Sequence, residues 1–486
     1  MTTAPFTGAA DIVECTATEL SRAIHARELS CVEVLDAYCA QIDRLNPLVN
    51  ALVAPVDRDL LRAQAHGLDQ RLARGESLGP MHGFPQAPKD IAPAAGMVTS
   101  RGSPIFAGQV TQTDAVAFER MRAGGSIFVA RSNSPEFGLG GHTYNPVYGT
   151  TRNAFNLALS AGGSSGGAAV AVALRMLPVA DGSDMMGSLR TPAAFNNVYG
   201  LRTSVGCVPH GPAEEVFFQQ FSVTGPMARN IPDLALLLSV QAGFDARLPL
   251  TRRGEGLRDW GAGLQRDWRG ARIGWLGDLG WHLPTDPGLI NTCRAALRHF
   301  CDIGCVVEEV LPDFDFEHLW RAWLDLRSFS IAGANGALYD DGAKRALLKP
   351  EAVWEIERGR ALSAMQLYDA ARVRSAWYET LRCLFERVDF LVLPAAQVFP
   401  FDAEIDWPHA VGGRAMDTYH RWMQAVVPAT MAGLPALAAP AGFGPQGLPA
   451  GLQIIGPVQA DMAVLQIGHA YDQASGHGRV RSPLLG

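Results

Sequence analysis

Apolar positions in this 486-residue chain follow two patterns that alternate along its length. Short runs such as Arg272-Ile273-Gly274-Trp275-Leu276 and Phe390-Leu391-Val392-Leu393 have the length and content of β-strands. Longer stretches carry helical spacing, and Ala168-Ala169-Val170-Ala171-Val172-Ala173-Leu174 has no polar face, which predicts a buried helix. Interleaving of the two predicts an α/β fold with a mixed central β-sheet flanked by helices. No repeat, linker or low-complexity stretch divides the chain, so a single large domain with a helical N-terminal extension is expected. Two aromatic-rich stretches lie apart from this frame: Val216-Phe217-Phe218-Gln219-Gln220-Phe221, and the region of Phe314, Phe316, Trp320, Trp323 and Phe329. Each is either ordinary core packing or the wall of an acyl or leaving-group pocket.

Composition narrows the function classes. With 48% apolar residues the chain can bury a large core, and its net charge of −7 argues against nucleic-acid binding driven by bulk electrostatics. The longest apolar run is broken by Arg175, and the opening MTTAPFTGAADIVEC lacks the basic and apolar regions of a secretory leader. A cytoplasmic protein that does not engage membranes is therefore expected. The eight cysteines include no Cys-x-x-Cys pair, and Cys301 and Cys305, four apart, are expected as buried free thiols on a helix. The twelve histidines contain no His-Glu-x-x-His or comparable cluster, so no metal is expected.

The candidate chemistry lies where the apolar pattern is interrupted. Between Leu159 and Pro209, Ser164 and Ser188 sit in glycine-rich turns on either side of the apolar helix. Upstream, Gly83-Phe84-Pro85-Gln86-Ala87-Pro88-Lys89-Asp90 places a lysine among apolar and cyclic residues. A serine hydroxyl needs a nearby base to act as a nucleophile. Lysine serves only when neutral, and burial lowers its pKa by up to about 3 to 5 units. A carboxylate beside the amine would oppose that shift, so Asp90 must point elsewhere. Gly162-Gly163-Ser164-Ser165-Gly166-Gly167 leads into the helix, but it lacks the Gly-Lys-Ser/Thr ending of a P-loop and the Gly-x-Gly-x-x-Gly of a dinucleotide site. In Asp181-Gly182-Ser183-Asp184-Met185-Met186-Gly187-Ser188-Leu189-Arg190-Thr191-Pro192, a tight turn precedes Ser188 and an extended segment is expected to run to Pro192. Such a turn aims backbone donors at a developing oxyanion, each worth about a hundredfold to a thousandfold in rate. Asp184 and Arg190 have the spacing to clamp it from behind.

Lys89, then Gly-Gly-Ser-Ser-Gly-Gly, then Gly-Ser-Leu-Arg-Thr-Pro-Ala in this order resembles the amidase signature family, serine hydrolases with a Ser-cisSer-Lys triad. Further segments are similar to it: Ala17-Thr18-Glu19-Leu20 through Asn46-Pro47-Leu48-Val49-Asn50-Ala51, Ala130 to Phe137, Gly225-Pro226-Met227-Ala228-Arg229, Ala432 to Ala436, and Gly447 to Gly456. The resemblance spans essentially the whole chain. It implies the amidase signature fold, divided into an N-terminal helical segment (1–65) packed on a domain of residues 66–486 with its catalytic core at about 80–230. It further implies that Ser188 attacks the carbonyl, that Ser164, preceded in the family by a cis peptide bond, relays the proton, and that Lys89 is the base. The N–H groups of Met185, Met186, Gly187 and Ser188 would form the oxyanion hole, with Ser165 and Ser183 as supporting donors. Water would release the acyl group, with no metal or organic cofactor.

The chain departs from the family where Met185 and Met186 replace the usual Thr-Gly before Gly-Ser, and where Ile91-Ala92-Pro93-Ala94-Ala95-Gly96 lacks the usual polar residues. The first departure leaves the shape of the oxyanion hole open, since glycine commonly serves where positive φ is required. Together they imply an apolar site and bulky apolar or aromatic small-molecule amides, with aryl carbamates (urethanes), anilides and esters open to the same acyl transfer, in a monomer or homodimer. Two alternatives remain at this stage. One is the amidotransferase A subunit, which works in a complex on charged tRNA. The other is an α/β-hydrolase-type esterase, because Gly-x-Ser-x-Gly is satisfied around both Ser164 and Ser165, with His409, His420, His469 or His477 as base.

Overall fold

A computed structural model describes residues 8–218, 220–253 and 259–486; residues 1–7 of the opening segment and Gln219 of the aromatic run lie outside the described residues. The N-terminal helices begin where the sequence supplies reciprocal caps. Thr16 with Glu19 opens α1 (Ala17–His25), and Ser30 with Glu33 opens α2 (Cys31–Val49). Asp57 caps α3 (Arg58–Ala73). The buried carboxylate of Asp233 accepts from the N–H groups of Ala17 at 2.8 Å and Thr18 at 3.0 Å, which fastens α1 to the rest of the molecule. The expected boundary after residue 65 falls inside α3, and Ala65 is itself buried in the core, so the helical segment does not end there.

Eight strands form the central sheet. They are β1 (Ala180–Asp184), β2 (Tyr199–Arg202), β3 (Val223–Ala228), β4 (Arg272–Trp275), β5 (Val306–Glu309), β6 (Phe390–Pro394), β7 (Ala436–Phe443) and β8 (Pro449–Ile455). Their spatial order is β1-β3-β2-β7-β8-β6-β4-β5. The pairs from β1 to β6 are antiparallel, and β6-β4 and β4-β5 are parallel, so the sheet is mixed as expected. The two strands anticipated from the apolar runs are β4 and β6, paired with Phe390 opposite Ile273. Phe390 and Val392 feed one hydrophobic cluster, whereas Leu391 and Leu393 feed another. Both faces of β6 are thus covered by packed layers, which is why its sequence is continuously apolar instead of alternating.

Three details depart from the sequence reading. Cys301 is exposed at the end of a helix at Arg298–Asp302, and only Cys305, beyond that helix, is buried. Pro192 ends no extended segment: it is the third residue of a helix at Arg190–Phe195, where its missing N–H costs no intrahelical bond. The aromatic stretches divide, with Trp320 and Trp323 in the core and Phe218 and Phe329 on a cavity wall. No described helix is long and apolar enough to cross a membrane.

Candidate active site

Lys89 follows the two-residue strand Pro85–Gln86 and pairs as an isolated bridge with Ser132. The side chain turns inward and is almost fully buried. Its Nζ lies 2.7 Å from Ser164 Oγ, 2.8 Å from Ser165 Oγ and 3.1 Å from Ser183 Oγ. All three neighbours are neutral hydroxyls. Burial therefore prevails over the more distant charges of Asp181 and Asp184 and pushes the lysine pKa down to about 7. Asp90 points away, with Oδ2 accepting from Ser100 Oγ at 2.5 Å and Oδ1 facing Arg131 at 3.8 Å.

The hydroxyls are held by the elements on either side of the glycine-rich segments. Ser164 and Ser165 immediately precede the helix Gly166–Ala173, every residue of which is buried, and the Gly163–Ser164 peptide bond is cis. Ser183 comes from edge strand β1, and Ser188 from the turn that follows it. The Ser165 N–H donates to the Ser188 carbonyl at 3.2 Å, tying the two serine segments together. The Ser188 side chain faces a cavity of about 180 Å³ that Ser164, Met185, Met186 and Arg327 also line. A second cavity of about 540 Å³ begins at Lys89 and is walled by Ile91, Phe118, Asp181, Phe218 and Phe329. The two cavities share Ile91, Ser183, His210, Ser330 and Ala334.

Behind the turn, Asp184 and Arg190 form a pair whose side chains are both 0% exposed, not a surface bridge. Arg190 Nε and Nη2 meet the two carboxylate oxygens at 3.0 and 2.9 Å, and its remaining N–H groups reach Val426 O, Gln453 Oε1 and Thr430 Oγ1 at 2.7 to 2.9 Å. Burial raises the Asp184 pKa, but the nearby Arg190 and Arg202 charges prevail and hold it well below the usual carboxylate range. The carboxylate also accepts from the Gly187 N–H at 2.9 Å and the Leu189 N–H at 3.2 Å. Of the four N–H groups expected in an oxyanion hole, that of Gly187 thus already has a protein acceptor. Gly187 is also the residue of the turn with positive φ, at +80°, and a Cβ there would meet Val426 at 2.9 Å. Neither methionine has a positive φ, so Met186 needs no glycine-like backbone, and both line the smaller cavity.

Sequence reasoning missed Asp181, Arg327 and His210. Asp181 had a usable signal: two residues before Ser183 on a strand, it must share a face with Ser183, opposite Asp184. Its Oδ2 accepts from the Lys89 backbone N–H at 3.3 Å, and burial raises its pKa to about 6. Among the four histidines considered as bases, none lines either cavity. His409 pairs with exposed Asp406, and His420 is sealed against Tyr419 and Trp320.

A buried lysine, glycine-held serines and a mixed eight-stranded sheet come together in this arrangement. A family model described as Amidase matches residues 33–465, and the chain belongs to that family, the amidase signature enzymes. It is 31% identical to an acylamidase of Rhodococcus erythropolis over 93% of each chain. It is 32% identical to the A subunit of glutamyl-tRNA(Gln) amidotransferase from Methylococcus capsulatus, over 95% of this chain and 97% of that one. Among solved structures, a bacterial aryl acylamidase of the amidase signature family superposes with a TM-score of 0.90 at 29% identity, covering 96% of this chain and 98% of the other. The histidine-dependent α/β-hydrolase alternative falls with this fold and with the positions of the four histidines.

Proposed function

We propose that this chain is an amidohydrolase that cleaves the C–N bond of bulky apolar or aryl carboxylic amides, with carbamates and esters accessible to the same acyl transfer. The observation that carries this reading is the buried Lys89 amine, its pKa near 7, within 2.8 Å of the hydroxyls of Ser164 and Ser165. At neutral pH a substantial fraction of that amine is unprotonated. It takes the proton that Ser164 receives from Ser188 as the Ser188 hydroxyl attacks the carbonyl. The N–H groups of Met185, Met186 and Ser188 stabilise the oxyanion, and the relay then runs backwards to protonate the leaving amine. Water repeats the sequence on the acyl-enzyme.

The apolar walls of the larger cavity support a bulky or aromatic substrate, in keeping with the acylamidase names of two relatives. Incubation with a fluorophosphonate followed by peptide mass spectrometry tests the assignment: adduct at Ser188 is expected, and adduct at Ser164 or Ser165 would overturn it. A hydrolysis screen over anilides, carbamates and esters of graded size then ranks substrates, with activity confined to small polar amides counting against the reading. The similarity to the amidotransferase A subunit supports a second reading, membership of a tRNA-dependent complex. Co-purifying partner chains and dependence on glutamine would favour it, whereas amide hydrolysis by the isolated chain favours the first.

A further inference from the structure

Among the described residues, Arg327 is the one lining residue of the smaller cavity that carries a permanent charge, and no carboxylate lines that cavity. It stands on the helix Phe316–Asp340 and is only 3% exposed. Its Nε donates to Glu355 at 2.6 Å and its Nη2 to Tyr419 Oη at 2.8 Å. Nη1 meets only the thioether of Met185 at 3.5 Å, and sulfur is a weak acceptor. A guanidinium has five N–H groups. Two therefore lack any partner among the described residues, and a third is barely used, within the cavity that Ser188 lines. Arg190, a few residues from the nucleophile, spends all of its donors on protein acceptors. Buried donors left over in this way are costly unless something fills them.

We infer that Arg327 is a substrate-recognition residue: its free N–H edge takes a carbonyl or carboxylate oxygen at the far end of the substrate's acyl chain. This deepens the proposed function and rests on it. Lys89, which returns the proton to the leaving amine, opens the larger cavity, so the amine part extends there and the acyl part occupies the smaller space by Arg327. A volume of about 180 Å³ suits a short acyl chain. Glu355 behind the guanidinium accepts from Arg327, Ser328 and Tyr419 and fixes the planar fork, which a lysine could not reproduce.

Three para-nitroanilides of equal acyl length test this: those of butyric acid, of succinic acid as its monoanilide, and of succinamide. They end in a methyl, a carboxylate and a neutral amide. In the unmutated chain at least one oxygen-bearing substrate should exceed the butyryl one by about tenfold or more in kcat/KM, and which of the two wins identifies the acceptor. Arg327→Met leaves buried Glu355 without its cation, so the readout is the ratio of rates within the folded variant: the advantage over the butyryl substrate should be erased, and Arg327→Lys should restore it only in part. Preference for the butyryl substrate, or equal losses on all three in Arg327→Met, would overturn the assignment. If Ser188 is still phosphonylated and all three are hydrolysed without preference, the amidase reading stands and this inference alone fails. No labelling and no hydrolysis would remove both.

Discussion

Two buried cations stand on either side of strand β1, and the molecule treats them oppositely. Lys89 meets only hydroxyls, whereas Arg190 meets a carboxylate and three further acceptors. Burial without a counter-charge drives a titratable amine toward its neutral form; burial with one keeps both partners charged. The strand's period of two makes the division, with Asp181 and Ser183 on the Lys89 side and Asp184 on the Arg190 side. In the proposed mechanism the first cation is the one available for proton transfer, whereas the second is committed to holding the turn.

The sharpest break of this comparison is to replace each cation by methionine. Lys89→Met should lower kcat by about a hundredfold to ten-thousandfold, the usual worth of a positioned base. Its stability should change much less, because the groups left behind are neutral hydroxyls. Arg190→Met leaves Asp184 with Arg202 as its remaining cation, at 3.4 Å, and leaves Val426 O, Gln453 Oε1 and Thr430 Oγ1 without their Arg190 donors, so it should cost about 3 kcal/mol in urea denaturation. Equal stability losses in the two variants would show that the distinction between the two sites is wrong.

What could be read from the sequence follows the same physical line. That Lys89 and Ser164 would come together was legible because glycine-rich turns and apolar flanks are local signals, and so were β4, β6 and the buried helix. Arg327 was not legible, because nothing near it in the chain indicates that Glu355 and Tyr419 will take one edge of its guanidinium and leave the other open. Phe218 and Trp323 share an aromatic-rich composition, yet only packing across distant helices decides that one lines a cavity and the other fills the core. The N–H of Gly187 is a related case, since which turn donors stay free depends on where Asp184 places its two oxygens.

The pH profile sharpens the contrast more gently. In the proposed mechanism Lys89 acts as base only when neutral, so kcat/KM should rise with pH through an acid limb near 7. Its stability contribution has the matching sign. With the folded pKa lowered from 10.5 to about 7, the unfolded chain binds more protons between those values, so this group adds stability as pH rises across that window. Asp184 has a folded pKa below its ordinary 3.8, so its contribution is present above that value and is lost as the pH falls below it. Activity that is flat from pH 6 to 8 would contradict the role given to Lys89.

The smallest expected effect comes from Asp181, the carboxylate on the Lys89 side of the strand. With its pKa near 6 it is largely ionised at neutral pH, and its negative charge favours protonated Lys89. Asp181→Asn keeps an oxygen to accept from the Lys89 backbone N–H and removes only the charge. Lys89 should then lose its proton more readily, and the acid limb of kcat/KM should move to lower pH with little change in the plateau. The other charges acting here, Asp184 pulling Lys89 up and Arg131 lowering Asp181, are unaltered by this substitution. A limb that moves to higher pH would mean that the carboxylate acts through structure and not charge. A limb that stays still would mean that the ionisation governing activity is not that of Lys89.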